Sequence, residues 1–259
     1  MNLSRYTVVI TQAANQSSRL LELLMEEGFN VLSLPLIKLE KIKTSASQQA
    51  TLKKVLNSEY DALVFLTSNG VSFFNQIFKE SYPTDEIPDS LKLIAQGSAS
   101  ASAIEEFLER KPDAVPEVFN SVALTDLLAE LYPNGASLLA VCAKGTGRAF
   151  VELAKAQNLT VELLPLYEIQ QAEVPEELVR QISEMPRDSL IFTFFSPSAF
   201  QAATQVFAKS LDILKEVRLL SIGPSTSAMI MDSGCRVYLE SEEYSQKSLV
   251  ETLASRLSS

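Results

Sequence analysis

A repeated pattern runs through this chain and restricts its fold more than any other feature. Leu34-Pro35-Leu36 returns as Leu164-Pro165-Leu166, an offset of 130, with Val31 matching Val161 and Leu23 matching Leu153. Ser68, at a helix start after an apolar run, returns as Ser196 at offset 128, and Gly97 returns as Gly223 at offset 126. Val115 pairs with Val237, and Leu127-Leu128 with Leu249-Val250, at offset 122. Offsets that drift one way in small steps are what a duplication with a few deletions leaves behind.

Each half reads as a strand followed by a helix. Val8–Thr11 is a short β-branched run, then Leu20, Leu23 and Leu24 fall at helical spacing before a stop at Gly28. Val31–Leu36 is strand-like, with Pro35 suited to an edge or a strand end. Tyr60–Leu66 and Leu91–Ala95 are apolar almost throughout, which marks strands buried on both faces of a helix-covered parallel sheet. The fold class expected is α/β, with two duplicated parallel-sheet domains. Both Leu-Pro-Leu segments run into polar extended stretches, Ile37–Lys43 and Tyr167–Val174. If these are crossings, one domain holds residues 1–36 plus 173–259 and the other 37–172. The turn at Tyr132-Pro133-Asn134-Gly135 offers a simpler division near residue 133, which pattern alone favours.

Composition limits the chemistry. The 259 residues include no histidine and two cysteines, and 22 basic against 32 acidic side chains give a formal charge of −10. Without imidazole there is no Ser-His-Asp or Cys-His catalysis, and Cys142 and Cys235 lie far apart with no His partners for zinc. Cys142, in an apolar run, reads as an ordinary buried thiol. An acidic chain with scattered Lys and Arg argues against nucleic acid as a partner. No apolar run approaches the ~20 residues of a membrane span. Met1 to Tyr6 lacks the character of an export signal, so a reduced, cytoplasmic setting is expected. Ala143-Lys144-Gly145-Thr146-Gly147-Arg148 imitates a phosphate loop without the spacing of one.

Several segments, taken in order, resemble the uroporphyrinogen-III synthase family. They are Val8-Val9-Ile10-Thr11, Phe65-Leu66-Thr67-Ser68-Asn69-Gly70-Val71, and Ile191 through Ala199 with its Ser196-Pro197-Ser198. Ile222-Gly223-Pro224-Ser225-Thr226-Ser227-Ala228, Gly234, and Tyr244 through Val250 complete the set. The resemblance implies two α/β domains joined by a pair of strands, with the chain crossing to the second domain and returning, and an open cleft between them. It thereby favours the crossing arrangement over a division near 133. It also implies cyclisation of the linear tetrapyrrole hydroxymethylbilane, with inversion of its last ring and loss of water, and no metal or organic cofactor.

The substrate so implied carries many carboxylates. Helix N-termini present free N–H groups and a positive dipole end, each favouring an anion by ~0.3–1 kcal/mol when exposed. Ser68-Asn69, Gly97-Ser98, Ser196-Pro197-Ser198 and Gly223-Pro224 each open a helix after a strand, the edge where open α/β sheets bind ligands. Ser100 and Thr226 fill the Gly-x-x-Thr element of the family, Ser100 with the shorter side chain. The substrate-binding set expected is therefore Ser68, Asn69, Gly97, Ser98, Ser100, Ser196, Pro197, Ser198, Gly223 and Thr226. N-capping by Ser and Asn, and the suitability of Pro for a first helical turn, explain several of these without any ligand. Tyr167 matches the family's tyrosine on the interdomain connection and is the expected general acid for the departing hydroxyl, protonated at pH 7 by its ordinary pKa of ~10. After Thr11 the family usually shows Arg-Pro, and this chain has Gln12-Ala13, which removes one possible carboxylate contact. Lys144 and Arg148 are placed in a loop near the site. The chain is expected to act as a monomer, with transient contact to the preceding pathway enzyme. The alternative is a non-catalytic two-lobed protein that binds or senses a small anion.

Overall fold

The computed structural model describes residues 3–208 and 212–258. Among these residues, ten strands and eleven α-helices form two five-stranded sheets with their covering helices. The strands are β1 (Thr7–Ile10), β2 (Asn30–Ser33), β3 (Ile37–Lys41), β4 (Ala62–Phe65) and β5 (Lys92–Ala95) in the first half. They continue as β6 (Ser137–Ala143), β7 (Thr160–Gln171), β8 (Leu190–Phe194), β9 (Arg218–Ser221) and β10 (Val237–Glu240). Two compact units result, residues 1–39 with 169–259, and residues 40–168.

The first unit carries the sheet β10-β9-β8-β1-β2, in which every pair is parallel. The second carries β3-β7-β6-β4-β5, where β7, β6, β4 and β5 are parallel. Matching the strands by sequence offset sets β1 against β6, β2 against the start of β7, β4 against β8 and β5 against β9. The two sheets then have the same order. The counterpart of β10 is reduced to a single bridge, Ile94 to Ala114. Each unit therefore takes strands from both sequence repeats. A division near 133 would separate β4 from β6, which pair along their length.

Burial on both faces explains the near-continuous apolar strands. In β4, Leu63 and Phe65 pack on one side of the sheet, and Ala62 and Val64 on the other. In β8, Phe192 and Phe194 enter one core cluster and Ile191 enters the opposite one. Each fully buried Phe or Leu contributes ~1.5–3 kcal/mol relative to exposure. The buried Thr193 hydroxyl donates to Val9 O (3.1 Å), and Thr11 Oγ1 donates to Thr193 O (2.6 Å), tying β8 to β1 at their C-terminal ends.

The two prolines of the repeat behave differently. Strand β2 ends at Ser33 rather than Leu36, because Pro35 has no N–H, although Leu34 and Leu36 still donate to Ile10 O and Thr11 O. Pro165 instead lies inside the 12-residue β7, at a register shift where Cys142 faces Pro165 and Ala143 faces Tyr167. Such a bulge is where an interior strand tolerates proline, and it re-aims the following side chains, leaving both Leu166 and Tyr167 buried. The polar stretches after each Leu-Pro-Leu form β3 and the end of β7. Ile42 N donates to Leu166 O and Ala172 N donates to Leu36 O, so partner numbers fall as residue numbers rise and the two strands run antiparallel.

Candidate active site

In the second unit the C-terminal ends of β4, β6 and β7 bring several expected residues together. Helix α3 (Ser68–Ser81) is capped by Thr67, whose Oγ1 accepts from Gly70 N (3.0 Å). Ser68 and Asn69 occupy its first two positions. The cap position in the first unit is Ser196, which accepts from Ala199 N (3.2 Å) at the start of α8 (Pro197–Val206). Equivalence therefore runs from Thr67 to Ser196, one residue from the Ser68–Ser196 match made on sequence.

Tyr167 is 1% exposed. Its ring stacks on Phe73 of α3, centroids 4.8 Å apart and planes 9° from parallel, and its hydroxyl lies 2.9 Å from Thr67 Oγ1. Burial raises the phenol above its ordinary pKa; the Thr67 hydrogen bond opposes that and a nearby Cys142 adds to it. Thr67, in contrast, is exposed. Sequence reasoning passed over Thr67, although an N-cap residue directly after a buried strand was the available signal.

The other pair of helices repeats one design. Helix α4 (Ser98–Leu108) starts after Gly97, and α10 (Pro224–Asp232) after Gly223. A Cβ on Gly97 would meet the Phe119 ring carbon at 3.0 Å, and one on Gly223 would meet the Tyr244 ring at 2.7 Å. Both glycines have extended backbones, so the requirement is for space. Phe119 precedes the Asn120 cap of α5 (Ser121–Leu131), and Tyr244 precedes α11 (Gln246–Ser258), so the duplication has preserved the ring as well as the glycine.

Ser100 and Thr226 sit at the third position of these helices, 4% and 1% exposed. Neither hydroxyl has a hydrogen-bond partner among the described residues. No fully buried side-chain oxygen among those residues lacks one, so the small surface that each residue keeps includes its hydroxyl. Both hydroxyls are therefore accessible from solvent at equivalent positions of the two units.

Backbone donors are scarcer than the four-helix expectation supposed. In α8 and α10 a proline takes the first helical position and contributes no N–H. Gly223 N donates to Ser221 Oγ (3.2 Å) and Thr226 N to Gly223 O (3.1 Å), leaving Ser225 N open in that turn. At α8, Ser196 takes Ala199 N, and Ser198 N is left open. Ser98 begins α4 with its N–H open.

The loop after β6 is a tight turn. Gly145 and Gly147 have positive φ, Thr146 Oγ1 donates to Ala143 O (2.9 Å), and Gly147 is pressed against Leu163. Lys144 pairs with Glu168 at 3.4 Å, and Arg148 begins α6 (Arg148–Ala156). Cys142 is buried and its thiol pKa is raised by that burial, as is that of Cys235. Among the described residues no group of three acidic or cysteine side chains is placed to hold a metal ion, and no helix is long and apolar enough to cross a membrane. A cavity of about 560 Å³ opens at the other end of the second sheet, near Asp61, Lys92 and Tyr132, away from every expected site residue.

This fold has counterparts among known proteins. The family model described as uroporphyrinogen-III synthase HemD matches residues 18–251. A uroporphyrinogen-III synthase of Synechococcus elongatus is 23% identical over 255 residues, covering 94% of this chain and 92% of that protein. Among solved structures, a mutant uroporphyrinogen III synthase of Thermus thermophilus aligns with a TM-score of 0.67 at 18% identity, over 98% of this chain and 99% of that one. The uroporphyrinogen-III synthetase of Helicobacter pylori aligns with a TM-score of 0.58 at 15% identity, over 97% and 99%.

Proposed function

The chain belongs to the uroporphyrinogen-III synthase family, and on that premise we propose how its residues carry out the family's cyclisation. The activity is that of a cyclising lyase of porphyrin biosynthesis. Its substrate on this reading is hydroxymethylbilane, and its products are uroporphyrinogen III and water.

The observation that carries the reading is the matched pair Ser100 and Thr226, two almost completely buried residues whose hydroxyls reach solvent with no partner among the described residues. A substrate with acetate and propionate arms supplies acceptors for both. Ser68, Asn69 and Ser98 follow the strand ends of one unit, and Ser196 and Ser198 follow the equivalent strand end of the other. Gly97 and Gly223 admit the aromatic rings that shape those ends, and Pro197 sets the start of α8. Ser and Thr hydroxyls and single N–H groups hold carboxylates without adding positive charge, which suits a chain of formal charge −10.

In the reaction the C–O bond to the terminal hydroxyl breaks, that hydroxyl takes a proton and leaves as water, and ring closure later releases a proton from the pyrrole carbon. Tyr167 reaches outward through Thr67. Gly70 N–H donates to Thr67 Oγ1, and in the arrangement where the Tyr167 hydroxyl donates to it as well, the Thr67 proton is free for the departing group. As Thr67 gives its proton to the departing hydroxyl it takes one from Tyr167; burial makes the resulting phenolate costly and short-lived, and the proton that ring closure releases from the pyrrole carbon restores it. Loss of hydroxide from a pyrrole-stabilised carbon is intrinsically easy. The larger task is to hold the chain so that the inverted closure precedes the unassisted one.

Two buried, unpaired thiols suit a reducing cytoplasm. The anion-sensor alternative is not favoured by the family match. Mixing the purified chain with freshly made hydroxymethylbilane and resolving the isomers tests the reading. Type III product faster than the buffer reaction supports it, and type I alone at the buffer rate overturns it.

A further inference from the structure

Two elements of the second unit hold Tyr167. Its backbone belongs to β7, at the register shift that follows Pro165, and its carbonyl accepts from Lys144 N at 2.8 Å. Its ring is held from α3 by Phe73, with centroids 4.8 Å apart and planes 9° from parallel. The same helix supplies the partner of its hydroxyl, because Thr67 is the N-cap of α3 and Phe73 stands in its second turn.

Helix α3 is a firm mount for both groups. Val71, Phe74 and Phe78 are buried, and Phe74 meets Phe65 of β4 edge to face at 5.6 Å. Gly70 lets the helix sit close against β6, where a Cβ would meet Val141 O at 3.3 Å. Phe73 is only partly buried, so its ring adds less to that core than Phe74 does.

The geometry of a phenol says what such a stack controls. The oxygen lies on the Cβ–Cγ axis, so rotation about χ2 leaves it in place, while a swing about χ1 carries it away. The O–H prefers the ring plane, so that plane decides which acceptor the proton can reach. A ring packed face to face sets the plane and blocks the swing toward its own side. For Tyr167 the hydroxyl so placed is 2.9 Å from Thr67 Oγ1.

We propose that Phe73 is a positioning residue for the cyclisation, one that holds the Tyr167 hydroxyl against Thr67, an inference that rests on the relay reading above. Phe73 acts through Tyr167 and needs no contact with the substrate.

The test is a double-mutant cycle between Phe73→Leu, which removes the flat face and keeps an apolar side chain, and Tyr167→Phe, which removes the hydroxyl. Phe73→Tyr, which keeps the face, is the conservative control. In otherwise wild-type protein, Phe73→Leu is expected to lower kcat for isomer III about fivefold with KM within about twofold, and Phe73→Tyr to stay within about twofold of wild type. With Tyr167→Phe already present, Phe73→Leu should change kcat by less than about twofold, since the group it positions is gone. An equal loss of kcat in both backgrounds, or none in either, overturns the positioning role while leaving the relay and the synthase activity standing. Should Tyr167→Phe turn over undiminished, or wild type make no isomer III, the reading above falls by itself. The same cycle in urea midpoints then decides the role: a smaller Tyr167→Phe shift beside Phe73→Leu than beside Phe73 supports it, and equal shifts overturn it. If Phe73→Leu fails to fold, Phe73→Met takes its place in the same cycle.

Discussion

Tyr167 Oη and Thr67 Oγ1 lie 2.9 Å apart, joining a phenol that is 1% exposed to a threonine hydroxyl on an exposed residue. Tyr167→Phe removes the hydroxyl and keeps the ring that stacks on Phe73. We expect kcat for isomer III to fall about tenfold with KM little changed, somewhat below what general acids ordinarily contribute. The lost buried hydrogen bond should cost about 1 kcal/mol in a denaturant titration. Undiminished turnover at saturating substrate would remove Tyr167 from the mechanism.

The same burial fixes a pH dependence. Folding raises the pKa of Tyr167 by burial, and that of Tyr60 by burial together with its hydrogen bond to Glu162. A raised pKa means the folded chain holds protons that the unfolded chain releases at pH ~10. The stabilisation is complete below that value and declines as pH rises through the folded pKa. The melting midpoint should therefore fall above about pH 10, and Tyr60→Phe should lessen the fall.

Glu162 has the opposite sign. Burial acts to raise its pKa, but hydrogen bonds from Tyr60, Thr51 and Lys54 outweigh it and the pKa is lowered. Its stabilisation is present above the unfolded value of ~4.3 and is lost as pH falls through the lower folded value. Glu162→Gln should be less stable than wild type at pH 7, with the difference closing below about pH 4 in thermal melts.

Gly223→Ala should destabilise the first unit by about 1–3 kcal/mol, since the new methyl would meet the Tyr244 ring at 2.7 Å. Combining it with Tyr244→Ala should recover part of that loss relative to Tyr244→Ala alone. A Gly223→Ala variant that melts with wild type would show that the ring moves freely.

What could be read from the sequence follows from how local each signal is. The α/β class was legible because Leu63 to Phe65 and Ile191 to Phe194 are buried on both faces, and such runs carry no polar alternation. The helix starts at Gly97, Ser196 and Gly223 were legible from turn and cap chemistry. Thr67 was missed because adjacent Thr and Ser are both competent caps, and only backbone geometry separates them. The strand pair at Ile37–Lys43 and Tyr167–Val174 was reached only through the family resemblance, and the Gln12–Gln246 contact was invisible, because each joins residues more than a hundred positions apart. The reason for Gly223 was hidden likewise, since the Tyr244 ring comes from a different element.

Ser100 and Thr226, matched by the duplication, stand at the centre of the proposed mechanism as the groups that hold the substrate for inverted closure. Their role is tested most directly by the ratio of uroporphyrinogen III to I formed from hydroxymethylbilane, by wild type and by the Ser100→Ala/Thr226→Val double variant at equal protein concentration. The prediction is mainly isomer III from wild type and a shift toward isomer I from a folded double variant, as unassisted closure overtakes the enzyme. A folded double variant with the wild-type isomer ratio and rate would contradict it.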